Sequence, residues 1–579
     1  MILGQLGLTD SIDYSHYNSI DSKDAILAIK KENKTVLLED SEQGIFFATM
    51  GRIDNCEELS VHLGSQPHSA AYIFEAFKKW GESCPSRLLG DWVFVAIDTL
   101  KKEVFVARDQ NGFNSMFFTY DAHGILFSTS LQPLLKLQKE FNPKYALGML
   151  ALWKYNSLEE TIFKGIFRVP RGHTLRYKNG QIKTERYWFP ERTPLRIYKN
   201  RAEYAEEFLE ITKKAIECRI GDKNKVCSML SGGLDSGTVS VLAAEILGNS
   251  PLTTFSHVPL YKNSSPLYQN WFDDESDYID ATAMSRPNIN SIKLQSEHIS
   301  PLQGIAKFID RYNTIIHASA NAFWLIDLLE VATQHGFEVM LSGQFGNAAL
   351  SYTGLHSALP LGRVGPYNYF KNRITKPILK KHLEFKQFNK SLNIGYINAE
   401  AIEDFGIKQD VLENRTGRTY LHRTKNEEII SLINKTNRHQ IIDSLYENTC
   451  EKRDPTADIR IIEYAMSIPN EHFFNQRLEN KQIIRNMMAG RLPDKVLLET
   501  RSGLQASDIA KRLYAEKDLL VSYFYQFQQN TIFWYMVDCK KLENHIQLFV
   551  NQKFQDNINI NQILKTIMLG MFLEKYDFR

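Results

Sequence analysis

The sequence predicts two domains of different class, an α+β N-terminal domain over residues 1–192 and an α/β domain over residues 193–579 that closes in a helical extension. Three observations lead there. The 579 residues are enough for two to four domains of ordinary size. Up to residue 190 the chain reads as short apolar runs separated by turn residues, with few helices among them, as in a sandwich. Past residue 198 strands alternate with helices, the mark of a parallel sheet.

In the N-terminal part, Gly44-Ile-Phe-Phe-Ala-Thr-Met50 is an apolar strand expected to close at Gly51. Tyr72, Ile73, Ala76, Phe77 and Trp80 recur at helical spacing and predict a helix from Ala70 to Trp80. Trp92-Val-Phe-Val-Ala-Ile97 and Val104-Phe-Val-Ala107 form a hairpin across Asp98-Thr-Leu-Lys-Lys102. Phe117-Phe-Thr-Tyr120 and Ile125-Leu-Phe-Ser128 form another across Asp121-Ala-His-Gly124. Residues 191–198 read as a linker. An amphipathic helix from Glu203 to Ile220 follows, then a buried strand at Val226-Cys-Ser-Met-Leu230, a glycine turn and a helix from Asp235 to Ile246. Leu252 to His257 and Glu338 to Ser342 are further strands, and beyond residue 370 the pattern is mostly helical.

Composition narrows the function classes. With 69 basic and 67 acidic side chains there is no net field to gather nucleic acid or an anionic membrane, although a local basic cleft stays open. Six cysteines without a C-x-x-C pair argue against a disulfide framework or a cysteine-only zinc site. Fifteen histidines show no H-x-x-x-H or H-E-x-x-H pattern, which leaves Mg²⁺ as the metal to expect. The N-terminus lacks the features of a signal peptide, and no apolar run reaches the ~18 residues of a spanning helix. A cytoplasmic chain is the expectation.

The chemistry is concentrated at Ser228-Met-Leu-Ser-Gly-Gly-Leu-Asp-Ser236, where a buried strand turns into a helix. Gly232 and Gly233 let the backbone approach a ligand and offer N–H groups, and the helix N-terminus favours negative charge. Ser231 and Ser236 add hydroxyl donors. Asp235 would repel a phosphate unless a Mg²⁺ lay between them, since hard cations take oxygen ligands. The bland alternative is a tight packing turn. No Gly-Lys-Ser/Thr follows, so this is not a Walker A loop.

Leu230-Ser-Gly-Gly-Leu-Asp-Ser236 resembles the pyrophosphate loop of the asparagine synthetase superfamily. Gly51-Arg-Ile-Asp-Asn55, Leu89-Gly-Asp-Trp92, Arg108-Asp-Gln-Asn-Gly112 and Phe127-Ser-Thr-Ser130 resemble that family's glutamine-amidotransferase domain. Leu341-Ser-Gly343 resembles its second nucleotide loop. Glu451-Lys-Arg-Asp-Pro-Thr-Ala-Asp458 resembles E-x-R-x-P-F-x-D, with Thr456 in place of Phe. The fold implied is an N-terminal amidotransferase-like (Ntn-type) β-sandwich flanked by helices and a C-terminal ATP-pyrophosphatase-like domain.

Three positions depart from that pattern. Working glutaminases of this family use a cysteine at position 2, where this chain has Ile2; the nearest cysteine is Cys56. Glutamine hydrolysis is therefore not expected, and the N-terminal domain reads as an inactive relic. Gln344 and Asn347 stand where asparagine synthetases carry acids. Arg501 aligns with a family lysine that stabilises adenylation, and keeps its charge on a planar fork. Gly343-Gln-x-Gly-Asn, Ser351-Tyr-x-Gly354 and Gly503-Leu-Gln-Ala-x-Asp508 resemble the lasso peptide cyclases, the macrolactam synthetases of ribosomal peptide biosynthesis.

The resemblance implies that a peptide carboxylate attacks the α-phosphorus of ATP and that an amine then displaces AMP. It implies Asp235, Arg501 and Glu275 as catalytic residues, with ATP held by Leu230, Ser231, Gly232, Gly233, Leu234, Asp235, Ser236, Ser342 and Gly343. Mg²⁺ would sit on Asp235 and Asn347. Beside these stand plainer readings. Glu275 belongs to an acidic helix start, Glu451 and Arg453 form a structural ion pair, Asp458 caps the helix from Ile459 to Ser467, and Gln505 and Asp508 are helix-face residues. The implied partners are a core peptide freed of its leader, a leader peptidase and a leader-binding protein. An ammonia-dependent asparagine synthetase, a β-lactam-forming synthetase, a ligase acting on another peptide or a sugar, and a nucleotide-binding pseudoenzyme remain as alternatives.

Overall fold

The computed structural model describes residues 1–8, 12–30, 35–151, 158–222, 224–262, 271–375, 378–412, 424–438, 450–551 and 559–579. The chain divides into two compact units, one built from residues 1–145 and 157–189, the other from residues 146–156 and 190–579.

The first unit holds two six-stranded antiparallel sheets. One runs Phe167–Arg168, Phe117–Tyr120, Ile125–Ser128, Ile2–Leu6, Ala25–Ile29, Asn18–Ser22. The other runs Gln181–Arg186, His173–Lys178, Glu103–Arg108, Gly90–Asp98, Ile45–Ile53, Thr35–Asp40. Both sequence-predicted hairpins are present. The expected stop at Gly51 is not. That strand continues to Ile53, because Gly51 takes φ +118° and lies so close to the Asp91 carbonyl that a Cβ would clash. The helix Ser69–Trp80 buries Tyr72, Ile73 and Ala76 against Phe47, Trp92, Phe94 and Phe105. The rings of Phe47 and Phe94 stack at 5.2 Å, and such aromatic pairs add stability beyond their buried area.

The second unit is organised on a five-stranded, all-parallel sheet in the order Ile289–Leu294, Leu252–His257, Val226–Met229, Val339–Leu341, Glu451–Arg453. Val226–Met229, first of these in the chain, lies in the middle. Its two neighbours therefore leave in opposite directions, which opens a crevice at the carboxyl ends of Val226–Met229 and Val339–Leu341. Two of the five strands lie outside the sequence-predicted set. Ile289–Leu294 is an edge strand with little burial, and Glu451–Arg453 is three polar residues whose strand identity comes from pairing with Val339–Leu341. The helix Leu234–Leu247 is buried on nearly every side, as a central layer requires. After Leu361 the unit is mainly helical and ends in the helix Ile560–Tyr576. Among the described residues no helix is long and apolar enough to cross a membrane.

A buried ion pair ties this unit together. Arg219, near the end of the helix Arg201–Ile220, donates to Asp458 at 2.6 Å, and both side chains are inaccessible to solvent. Asp458 also accepts from the Arg460 backbone at 2.9 Å and so caps the helix Ile459–Ser467. Burial alone would raise its carboxyl, but the Arg219 and Arg460 guanidiniums override burial and hold it well below the usual carboxylate range. The predicted pair between Glu451 and Arg453 is also present, at 2.8 Å. Asp508 departs from its expected place on a helix face. It sits buried just before the helix Ile509–Ala515 and accepts from the backbone of Leu260 and Tyr261 and from Arg512. Gln505, also outside that helix, accepts from Asn321 at 3.0 Å.

Breaking a buried pair strands the remaining charge. Asp458→Asn is expected to lower unfolding free energy by about 3–5 kcal/mol, read from urea denaturation at neutral pH. Because the folded carboxyl titrates below the ordinary 3.8, the pair contributes fully above that value and loses its effect as pH falls through the folded one. Wild-type protein should therefore lose stability on acidification in that range, and the Asn variant should lose less.

Candidate active site

The crevice at the carboxyl ends of the two central strands is lined by two loops. The first, Leu230 to Gly233, leads into the helix Leu234–Leu247. Its backbone is held by its own hydroxyls. Ser231 and Ser236 share a hydrogen bond at 2.8 Å, the Ser231 N–H donates to Ser236 Oγ at 3.1 Å, and the Gly233 N–H donates to Ser231 Oγ at 3.3 Å. The two serines expected to reach a ligand thus also shape the loop that would hold it.

An anion already meets the loop. Glu275, which precedes the helix Ser276–Met284, accepts the Gly232 N–H at 3.2 Å. Burial pushes its carboxyl up, with the Gly232 N–H partly offsetting the rise. Behind Glu275 lies Gly503, where a Cβ would overlap the carboxylate. Gly503 belongs to the short strand Ser502–Gly503, which pairs in parallel with Trp271–Phe272. Glu275 is therefore half-buried between two backbones and is not a freely solvated helix start. It holds the loop at Gly232.

The second loop, Ser342 to Asn347, passes directly over the start of the helix that carries Asp235. An added Cβ on Gly343 would lie 2.8 Å from the Asp235 carbonyl carbon and the Ser236 nitrogen, and one on Gly346 would overlap the Asp235 carboxylate. Only glycines permit this crossing. Asp454, buried and absent from the predicted site, fixes the loop from behind. It accepts from Ser342 Oγ at 3.1 Å, the Phe345 N–H at 2.9 Å, and the Thr456 N–H and hydroxyl. Asp454-Pro-Thr456 has the local pattern of a side-chain-capped turn, the one signal in sequence that could have singled Asp454 out.

Asp235 is the centre of this arrangement. Its Oδ2 accepts from Ser351 Oγ at 2.7 Å, and its Oδ1 is buried without a partner. Ser351 Oγ also lies 3.3 Å from Asn347 Oδ1. One hydroxyl proton cannot serve both acceptors at once. Burial raises the Asp235 carboxyl to about 6; Lys481 and Ser351 pull it down and Asp454 adds to the rise. Lys481, in a left-handed conformation at the start of the helix Gln482–Met487, is a cation that the sequence reading missed. The orphaned oxygen of Asp235 and the carbonyl oxygen of exposed Asn347 form a hard-oxygen donor set suited to Mg²⁺. Gln344 is exposed as well, and its Oε1 accepts from Lys452 at 2.9 Å.

Arg501 lies beside this site with its charge already paired. Its guanidinium donates to both oxygens of Glu499, at 3.1 and 2.8 Å, and to the Tyr278 hydroxyl at 2.8 Å, over the Phe272 ring. Tyr278 in turn packs its Cβ against Gly232. Arg501 therefore reaches the loop through Tyr278, and its side chain is 47% exposed. Glu499, unnoticed in sequence, cancels the charge expected to act on a phosphate.

The first unit has no cysteine at position 2. Ile2 is fully buried in a strand, paired with Ile29, and its N–H donates to Thr129 Oγ1 at 2.9 Å. The two cysteines of this unit are no substitute. Burial raises the Cys56 thiol, and Asp54 adds to the rise; burial also raises Cys84, whereas a nucleophilic cysteine needs a lowered value. Arg52 is bridged between Asp54 at 2.9 Å and Asp91 at 2.6 Å.

The asparagine synthase family model matches residues 207–522, and the glutamine amidotransferase domain model matches residues 24–188. Asparagine synthetase [glutamine-hydrolyzing] 3 of Bacillus subtilis is 23% identical over 478 residues, covering 78% of this chain and 74% of its own length. Amidase chry2 of Gibberella zeae is 22% identical over 323 residues, covering 53% of this chain and 47% of its own. Among solved structures, the glutamine phosphoribosylpyrophosphate amidotransferase of B. subtilis, complexed with ADP and GMP, covers 42% of this chain and 55% of its own. At 13% identity and a TM-score of 0.21, that likeness carries no argument.

The crossing of the loops gives a direct test. Gly346→Ala forces the second loop or Asp235 to move, at a cost of about 1–3 kcal/mol in stability. Thermal unfolding should show that loss, and the increase in melting temperature on adding Mg²⁺ with ATP should shrink markedly relative to wild type.

Proposed function

Because the chain belongs to the asparagine synthase family, we propose that it is a lasso peptide cyclase. Members of the family are ATP-dependent ligases that form C–N bonds with release of AMP and pyrophosphate. In the proposed reaction an Asp or Glu side-chain carboxylate of a leader-freed peptide attacks the α-phosphorus of ATP. The bond to pyrophosphate breaks and an acyl-adenylate forms. The peptide's own N-terminal amine then attacks the acyl carbon, AMP leaves, and the proton lost by the amine passes to solvent. A leader peptidase and a leader-binding protein would supply the substrate in the cytoplasm.

The observation that carries the ligase reading is the crossing of the second loop over Asp235, which leaves one buried carboxylate oxygen without a partner. The chain's own residues have separate tasks. The Gly232 and Gly233 N–H groups, which donate to Glu275 and to Ser231 Oγ, would have to exchange those acceptors for phosphate oxygens, and Ser231 and Ser236 shape the loop that offers them. The backbone at Leu230, Ser342 and Gly343 would hold the adenine. Asp235 and Asn347 would hold Mg²⁺, which when bound supplies the positive charge that phosphate displacement needs. Arg501 acts through Tyr278, so its part is positional unless Glu499 releases it. Most of the catalytic effect then comes from positioning, first the carboxylate in line with the pyrophosphate leaving group at phosphorus and then the amine against the acyl carbon.

Two features support a tethered amine over free ammonia. The first unit has no cysteine with a lowered thiol value to release ammonia from glutamine. Gln344 and Asn347 are neutral where asparagine synthetases carry acids, so nothing at those positions attracts an ammonium ion. An ammonia-dependent asparagine synthetase is the second reading, favoured by the name of the Bacillus subtilis relative.

One set of assays separates them. Mass spectrometry of a core peptide incubated with enzyme and ATP should show loss of one water, and aspartate with ammonium should give no AMP. The reverse pattern would replace the first reading by the second. Asp235→Ala should lower pyrophosphate release by about a thousandfold or more while the circular dichroism spectrum is unchanged. Ammonia release from glutamine should stay at background, and glutaminase activity in purified protein would overturn the inactive reading of the first unit.

A further inference from the structure

We propose that a cavity bounded by Arg201, Arg363 and Arg373 docks a second carboxylate of the peptide, at a place built from none of the loop residues above. The inference rests on the peptide-ligase reading and adds the class of segment the enzyme recognises. The cavity measures about 570 Å³, within the range that encloses a few side chains of a ligand; Tyr369 and Glu471 add aromatic and acidic surface, and Ala358, Pro360 and Leu361 complete the wall.

The three arginines are held in place without being neutralised. Arg201 donates to the backbone carbonyls of Glu471 at 2.9 Å and Phe474 at 2.8 Å. Arg363 donates to the Asn475 carbonyl at 2.8 Å, and its Nε is buried with no partner. Arg373 donates to the Ala358 carbonyl at 3.2 Å and lies over the Tyr369 ring at 5.4 Å. Among the described residues none of the three forms an ion pair. A carbonyl orients a guanidinium fork and leaves its charge uncompensated, so three fixed cations face one carboxylate, Glu471. A carboxylate accepting two parallel N–H bonds is the ligand such a fork fits best.

The local sequence explains how these groups meet. Gly365, at φ +76°, and Pro366 break the helix Leu361–Phe370 between Arg363 and Tyr369, which lets both sides of the break line one cavity. Residues 361–394 carry eight Lys and Arg against a single acid, Glu384, although the whole chain is balanced at 69 to 67. Arg363 and Arg373 bring part of that excess to the cavity, where it attracts an acidic segment. Tyr367 and Phe370, on the same helix, are 75% and 54% exposed and offer aromatic surface to neighbouring side chains of a peptide. A concave site of this size takes a side chain or a chain terminus; a bilayer or a duplex is too broad to enter it.

Fluorescence anisotropy with the full-length protein tests this. The probes are a rhodamine-labelled octapeptide rich in Asp, Glu, Tyr and Phe, and its counterpart with Asn and Gln in place of every acid. A labelled oligothymidine and phosphatidylglycerol vesicles serve as competitors. The acidic peptide should bind at least about tenfold more tightly than the amide peptide, and Arg373→Gln and Arg363→Gln should each remove about tenfold of that affinity. Both variants should keep wild-type ATP–pyrophosphate exchange at saturating peptide. Equal binding of the two peptides, no effect of either substitution, or displacement by vesicles or oligothymidine in place of unlabelled peptide would overturn the pocket. Arginine-dependent binding without AMP formation from any peptide would sink the ligase reading and leave the pocket standing. Cyclisation with an unchanged KM in both variants would do the reverse.

Discussion

The candidate site depends on one close approach of backbone to side chain. Gly343 and Gly346 bring the second loop against the start of the helix Leu234–Leu247, and Asp235 is enclosed as a result. Enclosure costs the carboxylate its water, which is why its carboxyl rises to about 6 and why an oxygen without a partner has chemical meaning. Two other carboxylates hold the surrounding backbone. Asp454 anchors the second loop and Glu275 anchors the first, and burial raises both. Asp454 and Glu275 thus spend their oxygens on the backbone of the two loops, and Asp235, with Lys481 acting on it, keeps one buried oxygen without a protein partner.

The first unit shows how fold and chemistry separate. Its hairpins pair in full and its aromatic core is closely packed, and its Arg52 is locked between Asp54 and Asp91. The group that would act on glutamine is missing for a plain reason. Position 2 is an isoleucine whose backbone belongs to a strand ladder and whose side chain is part of the core. Packing accepts an isoleucine there readily, and nucleophilic chemistry does not.

Much of the fold was legible because its signals are local. A buried run, two glycines, small residues and a buried helix follow one another from Val226 to Leu247, and each part can be read from its neighbours. Glu451–Arg453 was not legible as a strand. Its three residues are polar, and what makes them a strand is hydrogen bonding to Val339–Leu341 far away in the chain. Ile289–Leu294 sits at the sheet edge, where weak burial leaves a weak pattern. At the site, Asp235 could be singled out from its place after the glycines, but Gly346 could not, because a glycine that lets two loops cross looks like any loop glycine. The partner of Arg501 was not legible either, since that pairing depends on how Glu499 turns back toward it.

Sequence by itself determined the two-unit organisation, the strand–glycine–helix loop, the loss of a thiol at position 2 and the neutral residues Gln344 and Asn347. These follow from residue type and from periodicities that span a few turns of chain. Only the tertiary structure decided which oxygen of Asp235 lacks a partner, that Glu275 holds Gly232, that Glu499 quenches Arg501, and that Arg201, Arg363 and Arg373 surround one cavity. Each of those facts pairs groups brought together by packing, and packing between distant segments leaves no periodic trace along the chain.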